Sequence, residues 1–282
     1  MKVIECPRDA MQGLHDFIPT EKKAAYINQL LKVGFDTIDF GSFVSPKAIP
    51  QMRDTAEVLE QLDLSSTSSK LLAIIANLRG AEQAVNFDEI TYLGFPLSIS
   101  ETFQQRNTNK SIGEAMTQLA EIQNLSIKHG KKLVTYISMS FGNPYGEEFN
   151  QEIIESFVSR LHQLGISIIS LSDTIGVADP QVIKNIFNSS IIAYPTIEFG
   201  AHFHSTPERA REKIESALEA GCQRFDSAIK GFGGCPMAKD DLTGNIATEK
   251  LLSILEEHEQ APNYDKQEFE KSMIKSLEVF PS

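Results

Sequence analysis

The sequence predicts a single closed (β/α)8 barrel, and three observations carry that prediction. Short β-branched runs alternate with longer amphipathic stretches from one end of the chain to the other, the pattern of repeated strand-helix units. Eight strand candidates can be counted, each followed by a helix candidate. No Gly/Ser-rich linker interrupts the series, and 282 residues is a length that one such barrel with a C-terminal addition fills. An open doubly wound sheet is the competing architecture, but it has no need of eight units.

The first strand is expected over residues 2–6. A polar loop leads to a helix over 20–33, with Thr20 as candidate N-cap and Gly34 just past its C-terminus. Strand two, 37–41, is followed by a loop broken by Pro46 and Pro50 and then by a helix over 52–62. Strand three, 71–76, precedes a short helix over 80–86, and strand four, 90–95, precedes a helix over 111–129 that stops at Gly130. Strand five is 133–139, with a helix over 148–164 ending at Gly165. Strand six is 166–172, and Pro180 suits the first turn of the helix that reaches 192. Strand seven, 197–204, leads to a helix that starts near Pro207 and ends before Gly221. Strand eight is 223–229, followed by a helix over 246–258. Residues 264–279 read as one more helix on the outside, so that 260–282 form a C-terminal extension of one domain, 1–282.

A formal charge of −12 argues against nucleic acid or an anionic membrane surface as partner, since both are bound through clustered Lys and Arg. The three cysteines, Cys6, Cys222 and Cys235, are far apart and form no CxxC, so reduced thiols are expected rather than disulfides or a zinc knuckle. There is no eighteen-residue apolar run, and Met1-Lys2 leads directly into Val3-Ile4 without a signal-like apolar region. The expectation is a soluble, cytoplasmic protein.

The chemistry centres on His202-Phe203-His204. In a strand, side chains two residues apart share a face, so both imidazoles project together and can begin a metal site. Alone, such a pair is more often one hydrogen-bonded core histidine and one solvated one. A barrel supplies partners, because its active sites sit where strands end and βα loops begin. Arg8 and Asp9 follow strand one, Asp39 and Ser42 close strand two, Ser100 and Glu101 follow strand four, Ser170 to Thr174 close strand six, and Gly231 to Pro236 follow strand eight. Asp9 with His202 and His204 forms a mixed oxygen and nitrogen set suited to Mg²⁺ or Mn²⁺, with Zn²⁺ the alternative. Plainer roles compete: a rim salt bridge for Arg8-Asp9, helix caps or loop carboxylates for Asp39 and Asp173, an inert thiol for Cys235, and solvation for Glu101. His15, His129, His162 and His258 read as surface or structural histidines.

Several blocks together resemble the 3-hydroxy-3-methylglutaryl-CoA lyase family. They are Val3-Ile4-Glu5-Cys6-Pro7-Arg8-Asp9-Ala10-Met11-Gln12, Ser42-Phe43-Val44-Ser45-Pro46-Lys47, Ala76-Asn77-Leu78-Arg79-Gly80, and Ser172-Asp173-Thr174-Ile175-Gly176-Val177. The His202/His204 pair, Gly231-Phe232-Gly233-Gly234-Cys235-Pro236 and Gly244-Asn245-Ile246-Ala247-Thr248-Glu249 continue the series in order. The resemblance implies a metal-dependent lyase on a TIM barrel that cleaves an acyl-CoA, with homocitrate-synthase and isopropylmalate-synthase type enzymes and ketoacid aldolases as relatives. It also implies that Asp9, His202, His204 and Asn245 are the metal ligands and that Arg8 stabilises an enolate. Cys235 would lie in a loop that closes over the site. Asp39, Ser42, Ser170, Asp173 and Thr174 would contact substrate or support the metal. Cys235, His204 or a bound water would return a proton to the carbanion carbon.

The chain departs from the family pattern at named places. Ala10 stands where glycine is usual, in a loop one residue shorter. Asp39 stands for glutamate, Asn143 for a cysteine, His15 for a lysine and Ser205 for an aspartate, and the Cys235 to Asn245 spacing is one residue longer. The alternatives kept open are a related aldolase or acyl-CoA lyase acting on another hydroxy acid, and a non-catalytic barrel subunit. Lys47, Arg53, Arg79, Arg106 and Lys110 are candidates for CoA phosphates, and a homodimer is a further possibility.

Overall fold

The computed structural model describes residues 1–234 and 243–280. Eight parallel strands close into a barrel in sequence order, the eighth pairing with the first. They are β1 (Lys2–Glu5), β2 (Thr37–Ser42), β3 (Lys70–Ile74), β4 (Ile90–Ser98), β5 (Lys132–Ser138), β6 (Ile168–Asp173), β7 (Glu198–Phe203) and β8 (Arg224–Ser227). The helices are α1 (Pro7–Gln12), α2 (Thr20–Leu30), α3 (Thr55–Leu59), α4 (Leu78–Ala84), α5 (Glu101–Thr108), α6 (Ile112–Lys128), α7 (Gln151–Gln163), α8 (Pro180–Ala193), α9 (Ala210–Glu219), α10 (Thr248–Glu257) and α11 (Lys266–Lys275).

Strand alternation divides the apolar residues into two packed regions. Outward residues such as Val3, Ile38, Leu71, Leu93, Ile137, Ile169, Phe199 and Phe225 meet the helices in one continuous core. Inward residues Leu72, Ile74, Tyr92, Val134, Tyr136 and Ile168 fill part of the barrel interior. Toward the C-terminal ends of β1, β2, β7 and β8 the interior becomes polar.

The element bounds differ from expectation where capping or pairing decides them. Thr20 does not cap α2: it lies inside the helix, after Pro19, and its hydroxyl donates to Asp54 at 2.8 Å. The helix expected from residue 111 is α6, and Ser111 is its N-cap, with its side chain and Glu114 forming a reciprocal capping box. α7 starts three residues late because Asn150 caps it through Ile153 N. β4 runs through Pro96, which pairs in register with Tyr136. Gly94 O accepts from Ile75 N, so Pro96, two residues on, faces the β3 side beyond the last β3 pairing, and its missing N–H costs no ladder bond. α10 begins at Thr248, not at residue 246, because Asn245 bridges His204 and Ala247 bridges Ala228. Two short helices, α1 and α5, were not expected, and α1 carries Arg8 and Asp9.

Candidate metal centre

β1 ends at Glu5 and the chain turns at once into α1, with Pro7 in its first turn supplying a fixed φ where no N–H bond is required. This turn places Arg8 and Asp9 at the barrel mouth, both buried. Arg8 is held on three sides. Its Nε and Nη2 donate to the Asp39 carboxylate at 3.1 and 2.5 Å, and Nη1 donates to Asp9 Oδ1 at 3.0 Å and Gln12 Oε1 at 2.8 Å. Of the five guanidinium N–H groups, one on Nη2 is left without a protein partner among the described residues. Burial disfavours the Arg8 charge, but Asp39 and Asp9 outweigh it and hold the group firmly cationic. Burial pushes the Asp39 carboxyl up to about 6 against the pull of Arg8, with Asp9 and Asp226 adding to the rise.

Asp9 accepts from Gln12 Nε2 at 2.8 Å and from Asn245 Nδ2 at 2.7 Å in addition to Arg8. Burial alone would raise its pKa; the charges of Arg8, His202 and His204 overcome this and lower it. His202 and His204 come from the inner face of β7 and the residue just after it, with ring centroids 5.3 Å apart. His202 Nδ1 bonds Asp226 Oδ2 at 3.0 Å across the β7–β8 register, which pairs the two residues directly. Burial lowers the His204 pKa to about 4, the neighbouring His202 adding to the effect, so its imidazole is neutral near pH 7. His204 Nε2 is buried and has no partner among the described residues.

One ligand-type atom from each of Asp9, His202 and His204 lies within 4.8 Å of the others. A carboxylate, a neutral imidazole with an orphaned nitrogen and a second imidazole fixed from behind suit a divalent cation. Asn245 reaches the same place from beyond β8. Its Nδ2 donates to Asp9 at 2.7 Å and to Phe232 O at 2.9 Å, two acceptors that fix the amide orientation and leave Oδ1 without a partner among the described residues.

The triad lies in a cavity of about 430 Å³ that is also lined by Arg8, Ser42, Asn77, Tyr136, Ser172 and Thr174, with Arg106 and Lys110 at its margin. A second, wider cavity of about 630 Å³ adjoins it through Ser42, Val44, Ser45 and Asn77 and carries Arg53 and Arg79. Lys47 lines neither. The smaller cavity holds the reactive groups, and the larger is a neighbouring recess with no ligand cluster of its own.

The expected site residues thus divide. Arg8, Asp9, Asp39 and Asn245 form one hydrogen-bonded network, His202 and His204 bring ligand atoms within 4.8 Å of Asp9, and Ser42 and Thr174 line the cavity beside them. Asp173 and Ser170 do not line it. Asp173 is on the helix-facing side of β6, where its carboxylate accepts from Lys213 Nζ at 2.6 Å and from Val177 N and Ala178 N, so it ties the following loop to α9. Ser170 points inward but one layer deeper, beside Gly200, with its hydroxyl buried and without a partner. Cys235 lies outside the described residues. Glu101 is exposed and bonds Ile112 N. His15, His129, His162 and His258 are exposed. Gln12, Tyr136 and Asp226 were not anticipated. Gln12 follows Arg8 by one helical turn, a spacing that offered a signal; Asp226 depends on cross-strand register, which offered none.

The HMGL-like family matches residues 4–273. A hydroxymethylglutaryl-CoA lyase of Bacillus subtilis is 35% identical over 251 residues, covering 89% of this chain and 83% of the relative. The cytoplasmic 3-hydroxy-3-methylglutaryl-CoA lyase of Rattus norvegicus is 34% identical, over 90% of this chain and 74% of the relative. Among solved structures, an HMG-CoA lyase from Acinetobacter baumannii in complex with coenzyme A and 3-methylmalate superposes with a TM-score of 0.90 at 32% identity, covering 99% of this chain and 90% of that one.

Proposed function

The chain belongs to the HMGL-like family, and from that premise we propose that it is a divalent-metal-dependent carbon-carbon lyase cleaving 3-hydroxy-3-methylglutaryl-CoA to acetyl-CoA and acetoacetate. The observation that carries the proposal is the buried Asp9, His202 and His204 triad beside an arginine with a spare donor, at the floor of the mouth cavity. Asp9, His202 and His204 would hold the ion, with Asn245 alongside, and the oxygen and nitrogen donors suit Mg²⁺ or Mn²⁺. When bound, a divalent ion lowers the pKa of the substrate's tertiary hydroxyl and anchors it.

The chain's own groups account for the rest of the electrostatics. Transfer of the hydroxyl proton to a base and breakage of the C2–C3 bond would leave the ketone of acetoacetate and the enolate of the acetyl-CoA fragment, which becomes acetyl-CoA when a proton is returned to C2. The free Nη2 N–H of Arg8 is the donor for that enolate oxygen, and Asp39 and Gln12 hold the guanidinium so that little reorganisation is required as charge develops. Arg106 and Lys110 at the cavity margin, with Arg53 and Arg79 in the adjoining recess, offer cationic groups to the CoA phosphates. We place this activity in the cytoplasm, as the last step of leucine breakdown, with an acyl-CoA as its partner and the enzyme working as a homodimer.

A coupled assay for acetoacetate, run with Mg²⁺ or Mn²⁺ and against an EDTA control, tests the reading. Wild type should turn over only with metal. Arg8→Gln should lower kcat by about 10²–10³-fold, the scale of losing one oxyanion-type donor, and His202→Ala should abolish metal-dependent turnover. An inactive wild type, or full activity in both variants, would sink the assignment. A panel of other hydroxyacyl-CoA and hydroxy-keto-acid substrates identifies the related lyase or aldolase reading if one of them has the higher kcat/KM.

A further inference from the structure

Behind the metal triad the barrel interior holds a second, deeper set of charges. Asp226 and Arg224 are two residues apart on β8 and both face inward, with Arg224 one layer below. Asp226 uses Oδ2 on His202 Nδ1, while its Oδ1 is buried with no partner among the described residues. Arg224 is fully buried and gives Nη1 to Glu198, at 3.1 Å; its Nε and Nη2 are buried with no partner among the described residues. The space for this long side chain is made on β7 by Gly200, its register partner, where a Cβ would come within 2.9 Å of Arg224 Cδ. Tyr136 stands edge-on to His202 with centroids 5.5 Å apart, closing the other side of the ring. Among the described residues no ion pair joins Arg224 to Asp226: the guanidinium turns to Glu198 and lies 5.8 Å from the Tyr92 ring centroid.

A histidine that binds a metal through Nε2 needs its proton on Nδ1 and its ring held at one rotation, and a carboxylate accepting from Nδ1 provides both. We propose that Asp226 is the positioning residue of the metal centre, directing His202 Nε2 toward Asp9 and His204. The proposal rests on the metal-dependent reading above.

Comparing Asp226→Asn with Asp226→Ala separates positioning from simple electrostatics, because both remove the charge and only asparagine keeps an acceptor for His202 Nδ1. The test is Mn²⁺ binding to metal-free protein, read from the EPR signal of free Mn²⁺, on wild type, Asp226→Ala and Asp226→Asn, with thermal melts of each metal-free form. Asp226→Ala should raise the Mn²⁺ dissociation constant about 10–100-fold. Asp226→Asn, which keeps the shape and one acceptor, should raise it less and serves if the alanine variant does not fold. In the metal-free proteins, held at alkaline pH so that the ring is neutral, ¹⁵N spectra should show His202 predominantly as the Nδ1–H tautomer in wild type and as a mixture in Asp226→Ala. Wild-type affinity in both Asp226 variants, or equal loss in Asp226→Asn and Asp226→Ala, overturns the positioning role. Absence of Mn²⁺ binding by wild type would overturn the metal reading and this proposal with it.

Discussion

Gly233 sits at φ +107°, and a Cβ there would lie 2.4 Å from Asn245 Nδ2 and 3.1 Å from the Asp9 carbonyl. A side chain at this position therefore meets both a strained backbone and the polar atoms that converge on the triad. Gly233→Ala should weaken Mn²⁺ binding several-fold with a smaller effect on the melting temperature, measured by titration and calorimetry on the same samples. Lys213 and Asp173 pose a different question of residue chemistry. Their ion pair is fully buried at 2.6 Å, and Lys213 also donates to Gly176 O and His204 O. Removing one partner leaves an uncompensated charge, so Lys213→Met should cost about 3–5 kcal/mol in urea unfolding. Substrate affinity for the folded fraction should stay unchanged, because Asp173 does not line the cavity. A selective rise in KM in that variant, without loss of stability, would return Asp173 to the substrate-contacting role expected from its motif.

At the scale of elements, Glu5 at the end of β1 joins the start of α10 to the turn after β8. It accepts from Thr248 Oγ1 at 2.6 Å and Ile229 N at 2.9 Å. Burial raises its pKa to about 8, and the two hydrogen bonds only partly oppose the rise. The folded protein therefore binds this proton more tightly than the unfolded chain does, so stability is fully present below the unfolded value of 4.5 and declines as pH rises toward 8. Denaturant unfolding between pH 5 and 8 should show that decline, and Glu5→Gln should flatten it; an equal slope in both proteins would show that another group is responsible. The elements themselves were largely legible: the alternation of short strand-like and longer amphipathic stretches located all eight strands, and period-two spacing put His202 and His204 on one face, although β7 itself ends at Phe203. What the sequence could not convey was orientation across strands. The Asp226 to His202 bond follows from β7–β8 register, and the outward turn of Asp173 follows from which face of β6 meets α9. Helix α1 was hidden because Pro7-Arg8-Asp9 reads equally well as a loop, and six residues are too few for a periodic signal.

For the molecule as a whole, the C-terminal extension is more than an external helix. Phe280, past α11, is buried and stacks on Phe232 with centroids 4.5 Å apart, and it meets Tyr26 of α2 edge-on at 5.7 Å. Phe232 also supplies the carbonyl that fixes the Asn245 amide. Phe280→Ala should lower stability by about 3–5 kcal/mol in chemical denaturation, and Phe280→Leu should restore part of it; a variant as stable as wild type would mean that this end of the chain is not part of the folded unit. The barrel's closure also has a consequence for how the protein is made. Asp9 and Asn245 are bonded to one another across 236 positions of chain, and the histidines come from β7, whose β8 neighbour is paired with β1. While a ribosome has yet to translate β8 and the segment after it, the emerging polypeptide has Asp9 but no complete partner set. Until residue 245 has been translated, the Asp9–Asn245 bond cannot form, so the full polar lining of the mouth is a property of the closed barrel and not of any shorter nascent chain.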